Sequence, residues 1–301
     1  MMSLYGYRYE SCLNRQSGYR NVSHSIATDR GDRNLILYKD EAGIEGLIRR
    51  VNEVSIFLQQ RDMPVRYSLD ARILQLTSAR SRRYASLYNY LPGQTIAWEA
   101  YAMKHIKLIG WALGDLHRHL ASYQPRLALP RIDAVCRADL ERMRRYFSDS
   151  DVHRAMSVKL DLEVDLSRLA PYPRLWERMA GLGRDQALHM DFVRGNVLFR
   201  GATPTDHYAI DDVALCGILD FEKLAYGHPL FDIARTLAFL LIDCDKPPQQ
   251  IYKYFLFSGY VKRGHGAVAL RDPRLDQLIS FFLVYDFYKF LRQNPYESLG
   301  E

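Results

Sequence analysis

An α+β chain of two lobes, a small β-rich one followed by a larger and mainly α-helical one, is predicted by three observations. Up to residue 91 the sequence reads as short apolar strands around a single helix. Leu91, Pro92 and Gly93 then break the pattern, and helical periodicity without strand signals follows for roughly sixty residues. Farther on, the apolar run Val197 to Phe199 and the run from Cys216 to Leu219 predict a hairpin with polar groups gathered at one end. The boundary divides residues 1–91 from residues 92–301.

Taken in order, Leu13 to Asn21 is polar around Gly18 and reads as a loop. Val22 to Ala27 and Asn34 to Lys39 read as strands joined by a turn at Gly31. Ile44, Leu47, Ile48, Val51, Val54 and Leu58 give residues 41–61 a helical apolar stripe, which Met63 and Pro64 stop. Arg72 to Leu76 and Tyr84 to Tyr90 continue as a meander. A long helix is expected over 96–123, a solvated one over 137–145 and another over 171–183. Residues 201–212 read as a long hairpin loop. Helices follow near 236–242, 249–261 and 273–292, the last with an aromatic stripe that suits a core or, less commonly, a cage for a cation.

Bulk properties set limits. The chain of 301 residues is 48% hydrophobic and 25% charged, an ordinary globular balance. No run is apolar for the roughly 20 residues of a membrane span, and residues 1–10 lack a signal-peptide core. Cys12, Cys136, Cys216 and Cys244 are widely spaced without metal-ligand patterns, which predicts free thiols and a reducing cytoplasm. The net charge of +6 comes from dispersed Lys and Arg rather than a basic tract, so a polyanionic nucleotide is expected as partner rather than nucleic acid. No feature points to a membrane or to a protein partner.

The polar end of the predicted hairpin carries the chemistry. His189, Asp191 and Asn196 follow a His-x-Asp pattern with Asn five residues after the Asp, and Asp220 and Phe221 close the next strand. Phosphoryl transfer uses such a set: one carboxylate orients the attacking hydroxyl and accepts its proton, while an amide oxygen and a second carboxylate hold Mg²⁺ on nucleotide phosphates. A polar loop whose side chains merely cap a turn is the plainer alternative. Lys39, ending an apolar strand, is the candidate phosphate contact, with Glu53 on the following helix as its partner and Glu45 as fallback. Backbone groups from Tyr88 to Tyr90 would meet a base inserted between the lobes. Asp232 either stabilises a helix start or buttresses the catalytic loop from beneath.

Together these residues resemble the aminoglycoside phosphotransferase and choline kinase family of protein-kinase-like small-molecule kinases. The resemblance runs from about Ser17 to Ile242 and is carried by Ser17, Gly18 and Asn21, by Lys39 and Glu53, by Tyr90 to Gly93, by His189, Asp191 and Asn196, by Ile218 to Glu222, and by Gly227, Pro229 and Asp232. It implies a two-lobed protein-kinase-like fold, an ATP or GTP site in the cleft, Mg²⁺ held by Asn196 and Asp220, Asp191 as catalytic base with His189 bracing its loop, and an acceptor site walled by the C-terminal helices. Ser17, Gly18 and Asn21 would line the nucleotide loop. The chain departs from the family in Met190, where Gly is common, and in Val193 and Arg194, where a His-Pro pair is common; Glu222 replaces the Gly of the kinase Asp-Phe-Gly motif. The implied reaction phosphorylates a hydroxyl of a small polar molecule: an aminoglycoside, a choline-like amino-alcohol, a sugar or a hydroxy-amino acid. A nucleotide-binding pseudokinase acting as a regulatory or scaffold module is the rival, and the complete set of Lys39, Asp191, Asn196 and Asp220 speaks against it.

Overall fold

The computed structural model describes residues 2–17, 21–78, 81–263 and 272–294. A five-stranded antiparallel sheet in the order β1-β2-β3-β5-β4 forms the N-terminal lobe. Its strands are β1 (Tyr9–Ser17), β2 (Val22–Thr28), β3 (Arg33–Lys39), β4 (Leu74–Thr77) and β5 (Arg82–Asn89), with helix α1 (Ile44–Gln59) between β3 and β4. Residues 13–17, expected as loop, belong to β1. That strand lies at the sheet edge with two register shifts against β2, so Glu10, Ser11, Asn14 and Arg15 face solvent and no apolar alternation betrays it.

Alternation along β3 divides the sheet's faces. Ile36 and Tyr38 join α1 residues Ile48, Val51, Val54 and Leu58 in the main core, whereas Leu35 and Leu37 pack with Met2, Tyr5, Ile26 and Leu87 on the other face.

The C-terminal lobe is built on α2 (Met103–Leu120), α3 (Ile132–Phe147), α4 (Ser150–Leu160), α5 (Tyr172–Ala180), α6 (Leu230–Asp243) and α9 (Pro273–Gln293). Between the last two, α7 (Pro248–Ile251) runs through a π-helical segment, Tyr252–Tyr260, into α8 (Val261–Arg263). Helix α3 is amphipathic rather than solvated all round, burying Cys136, Leu140, Met143 and Phe147. The expected hairpin is present as β7 (Val197–Gly201) and β9 (Val213–Ile218), joined by β8 (Ala209–Ile210) from within the stretch read as loop. Strands β6 (Gln186–Leu188) and β10 (Ala225–Gly227) pair beside it.

The N-terminal lobe and the linker that follows it meet the β7–β9 hairpin through backbone. Gln94 and Phe199 exchange hydrogen bonds of 3.1 and 2.9 Å, Arg66 N donates to Ile218 O at 2.9 Å, and Ile218 N donates to Pro64 O at 2.7 Å. Gly93 makes the first contact possible. A Cβ there would strike Cys216 Sγ and lie 3.1 Å from Leu198 Cβ. No described helix is long and apolar enough to cross a membrane.

Candidate active site

Strand β6 delivers His189, Met190 and Asp191 to the mouth between the lobes. Across the β7–β9 ladder Val197 pairs with Ile218, and Leu219 N donates to Asn196 O at 2.8 Å, so Asn196 and Asp220 leave the same end of one hairpin. Asn196 Nδ2 donates to the Asp191 backbone oxygen at 3.0 Å and to Asp191 Oδ2 at 3.1 Å. Its side-chain oxygen, Oδ1, accepts nothing among the described residues. His189 locks the frame. Its Nδ1 accepts from Asp191 N at 3.2 Å and its Nε2–H donates to Leu219 O at 3.1 Å, which fixes a neutral tautomer. Burial lowers its pKa and keeps the ring uncharged.

Beneath the loop, Asp232 is fully buried. Its Oδ2 accepts from His189 N at 2.7 Å and from His117 Nε2 at 3.0 Å, while Oδ1 accepts from Met190 N at 2.7 Å. His117 Nδ1 is in turn bonded to Tyr260 OH at 2.8 Å. Burial works to raise the Asp232 pKa, but the His117 hydrogen bond and the His189 backbone amide outweigh it and hold the carboxyl below the usual range. Asp232 therefore buttresses the loop. Met190 explains why a glycine suits its position: its φ is +60°, the left-handed region that costs a residue with a Cβ about 1–2 kcal/mol. The two amide bonds to Asp232 hold the chain there. Asp220 is also left-handed, at φ +59°.

Sequence reasoning missed Lys223. Its ammonium donates to Asp191 Oδ1 at 2.6 Å, so both oxygens of the central carboxylate are engaged. The available signal was a lysine three residues after Asp220. Arg194 is tied to Asp243 at 3.2 Å rather than left to solvent. In the loop before β9, Asp212 pairs with Lys104; no group of three or more His, Cys, Asp or Glu side chains gathers to hold a metal ion among the described residues.

In the N-terminal lobe, Lys39 and Glu53 are not brought together. Lys39 is exposed at the end of β3, on the strand's outer parity with Leu35 and Leu37. Glu53 turns the other way and accepts the Arg126 backbone N–H at 2.9 Å, in a cleft of about 670 Å³ behind α1. A strand's period of two is the reason: the residue facing α1 is Tyr38. Tyr38 OH lies 2.8 Å from Tyr88 OH, Tyr88 OH donates to Asn52 Oδ1 at 2.8 Å, and Asn52 Nδ2 donates to Ser86 Oγ at 3.3 Å. An uncharged network thus stands where a lysine–glutamate pair was expected. Arg66 sets its guanidinium 5.6 Å from the Tyr88 ring centre. Burial raises both phenol pKa values, and the Arg66 charge opposes that rise. No carboxylate pairs with Arg66 among the described residues.

Asn21 reaches across the mouth, donating from Nδ2 to Glu222 Oε1 at 2.6 Å. This contact gives Glu222, which stands where kinases have Gly, a partner. Gly18 and the Ser17 side chain lie outside the described residues. Tyr88 is buried, and Tyr90, 37% exposed, follows it at the rim.

A five-stranded sheet with one flanking helix, a helical second lobe, and a carboxylate–amide–carboxylate set on the connecting hairpin define a protein-kinase-like small-molecule phosphotransferase. The chain belongs to the APH phosphotransferase enzyme family, whose pattern matches residues 15–269. No match was found among curated proteins. Among solved structures, the amicoumacin kinase hAmiN in complex with AMP-PNP, Ca²⁺ and Ami shares 15% identity at a TM-score of 0.69, over 97% of this chain and 85% of that one. The Streptomyces rimosus aminoglycoside phosphotransferase APH(3'')-Id with ADP and streptomycin shares 16% at 0.53, over 93% and 91%. A choline/ethanolamine kinase family protein from Mesorhizobium loti shares 12% at 0.55, over 97% and 85%. At these identities the likeness is one of fold.

Proposed function

We propose that this chain moves the γ-phosphate of ATP or GTP to a hydroxyl of a small polar molecule, with Mg²⁺ as the metal. The observation that carries the reading is the single hydrogen-bonded frame joining Asp191, Asn196 and the residue before Asp220. Asp191 orients the acceptor hydroxyl and takes its proton. The hydroxyl oxygen forms the new bond to the γ-phosphorus as the bond to the β–γ bridging oxygen breaks, and the nucleoside diphosphate leaves with that electron pair. The Asn196 side-chain oxygen Oδ1 and the Asp220 carboxylate suit a small hard cation that takes its remaining ligands from water and phosphate oxygens. Bound there, Mg²⁺ would offset negative charge on the β- and γ-phosphates.

On the nucleotide side, Arg66 supplies the cation in place of Lys39, and Asn21 stands at the mouth beside Glu222. Four free thiols and the need for cellular nucleotide support a cytoplasmic setting. A scaffold without chemistry has no physical need for the carboxylate of Asp191. The test is nucleotide consumption, with ATP and GTP in parallel, across aminoglycosides, amino-alcohols, sugars and hydroxy acids. Consumption that requires both an acceptor and Asp191 is expected. Acceptor-independent nucleotide binding with no transfer to any acceptor would favour the pseudokinase.

A further inference from the structure

Helix α6 meets the catalytic loop twice. Asp232, in its first turn, binds the amides of His189 and Met190. One turn on, Thr236 lines a small cavity whose walls include Tyr101, just before α2, and Phe192 and Arg194 of the loop. Asp243, paired with Arg194 at 3.2 Å, stands in the wall as well. The cavity leaves about 10 Å³ for the centre of a water-sized sphere, which is room for one water and nothing larger.

Two hydroxyls in that wall lack protein partners. Tyr101 and Thr236 are each 1% exposed, and neither Tyr101 Oη nor Thr236 Oγ1 has a hydrogen-bond partner among the described residues. A helical threonine commonly turns its hydroxyl to a carbonyl three or four residues back in its own helix; Thr236 does not. Burial above all raises the Tyr101 pKa, so the phenol stays a neutral O–H donor. Phe192 is equally buried and makes no main-chain hydrogen bond among the described residues. Buried polar groups left dry are costly. A water is held where several of them share one cavity of its size, whereas cavities that stay empty are apolar.

We propose that this cavity is a water site, and that Tyr101 and Thr236 are positioning residues for the catalytic loop. One water accepts from both hydroxyls and donates to the main chain at Phe192, the residue after Asp191. Asp232 thus fixes the loop before Asp191, and the water fixes it after. The Tyr101 ring meets Phe199 of β7 edge-on, with centres 6.3 Å apart, so the brace also reaches the strand that follows Asn196. The site stands on this geometry; its effect on turnover rests on the phosphotransferase reading above.

Tyr101→Phe and Thr236→Val, made in the full-length protein, each remove one hydroxyl and nearly keep the shape of the wall. With a shared water, each should lower Tm by about 2–4 °C, the effect of one lost hydrogen bond. The double variant should lose less than the sum of the two, because both act on one water. Hydrogen exchange should quicken at residues 190–196 in each variant and stay unchanged in the N-terminal sheet. With an acceptor found by the nucleotide-consumption screen, kcat should fall severalfold at unchanged nucleotide KM. A crystal structure of the wild type should show one water within hydrogen-bond reach of both hydroxyls. Variants as stable as the wild type or more so would overturn the proposal, since removing a dry hydroxyl breaks no bond. Strictly additive losses, or unchanged exchange in the loop, would overturn it too. Should one variant fail to fold, the other and the wild-type crystal structure decide. Absence of transfer to every acceptor would remove the phosphotransferase reading, while stability and loop exchange still decide the water site.

Discussion

Lys223 Nζ lies 2.6 Å from Asp191 Oδ1, while Asn196 Nδ2 holds the other carboxylate oxygen at 3.1 Å. The central acid is therefore fixed on both sides before any acceptor arrives. Under the proposed mechanism positioning and proton acceptance reside in one group, so Asp191→Asn should lower kcat by about 10²–10⁴ with little change in nucleotide KM. Steady-state kinetics with the best acceptor check this. A variant with wild-type turnover would remove Asp191 from the chemistry.

The loop beneath it depends on Asp232. Asn in its place keeps one acceptor oxygen but turns an amide nitrogen toward groups that already donate, so Asp232→Asn should destabilise the fold by about 3–5 kcal/mol. Denaturant unfolding measures this. Acid adds a second signature. The pKa of His189 is held below its ordinary 6.5, so unfolded chains bind more protons and stability falls as pH drops below that value. The Asp232 pKa is held below its ordinary 3.8, so its contribution is present above that value and is lost as pH falls through the lower folded one. Wild type should lose stability in both windows, and Asp232→Asn only in the first.

Much of this site was legible because its residues are close in sequence. His189, Asp191 and Asn196 occupy eight positions of one strand and turn, and spacing alone groups them. Asp220 was found because a strand ends on it. Lys39 and Glu53 do not pair for a reason of parity: a lysine at a strand end looks set to face the helix, yet one residue's shift reverses the face. Asn52, Tyr88 and Arg66 converge on Tyr38 from a helix, a neighbouring strand and a linker, and no linear pattern joins them. Polar β1 escaped notice because an edge strand needs no apolar alternation.

That parity argument makes two lysine and arginine variants informative. Arg66 lies beside Tyr88 without an acidic partner among the described residues, whereas Lys39 is exposed on the outer side of β3. Arg66→Met should raise nucleotide KM about tenfold, as expected for losing one contact to a charged phosphate. Lys39→Met should stay within about twofold of wild type, as surface charges do. The reverse ranking would restore Lys39 as the phosphate contact and displace Arg66.

Gly93 offers a test of how the lobes are joined. Adding a methyl group there forces a collision with Cys216 Sγ and crowds Leu198 Cβ and Phe199 O, beside the paired bonds between Gln94 and Phe199. Overpacking of this kind costs about 1–3 kcal/mol. Gly93→Ala should therefore lower stability by that amount and, by pushing the linker off β7, raise nucleotide KM. Because the sulfur is the nearest obstacle, Cys216→Ala in the same chain should recover most of the loss. The double variant should be more stable than the sum of the single effects predicts. Strict additivity in thermal or denaturant unfolding would show that the linker does not close on β7 through this contact.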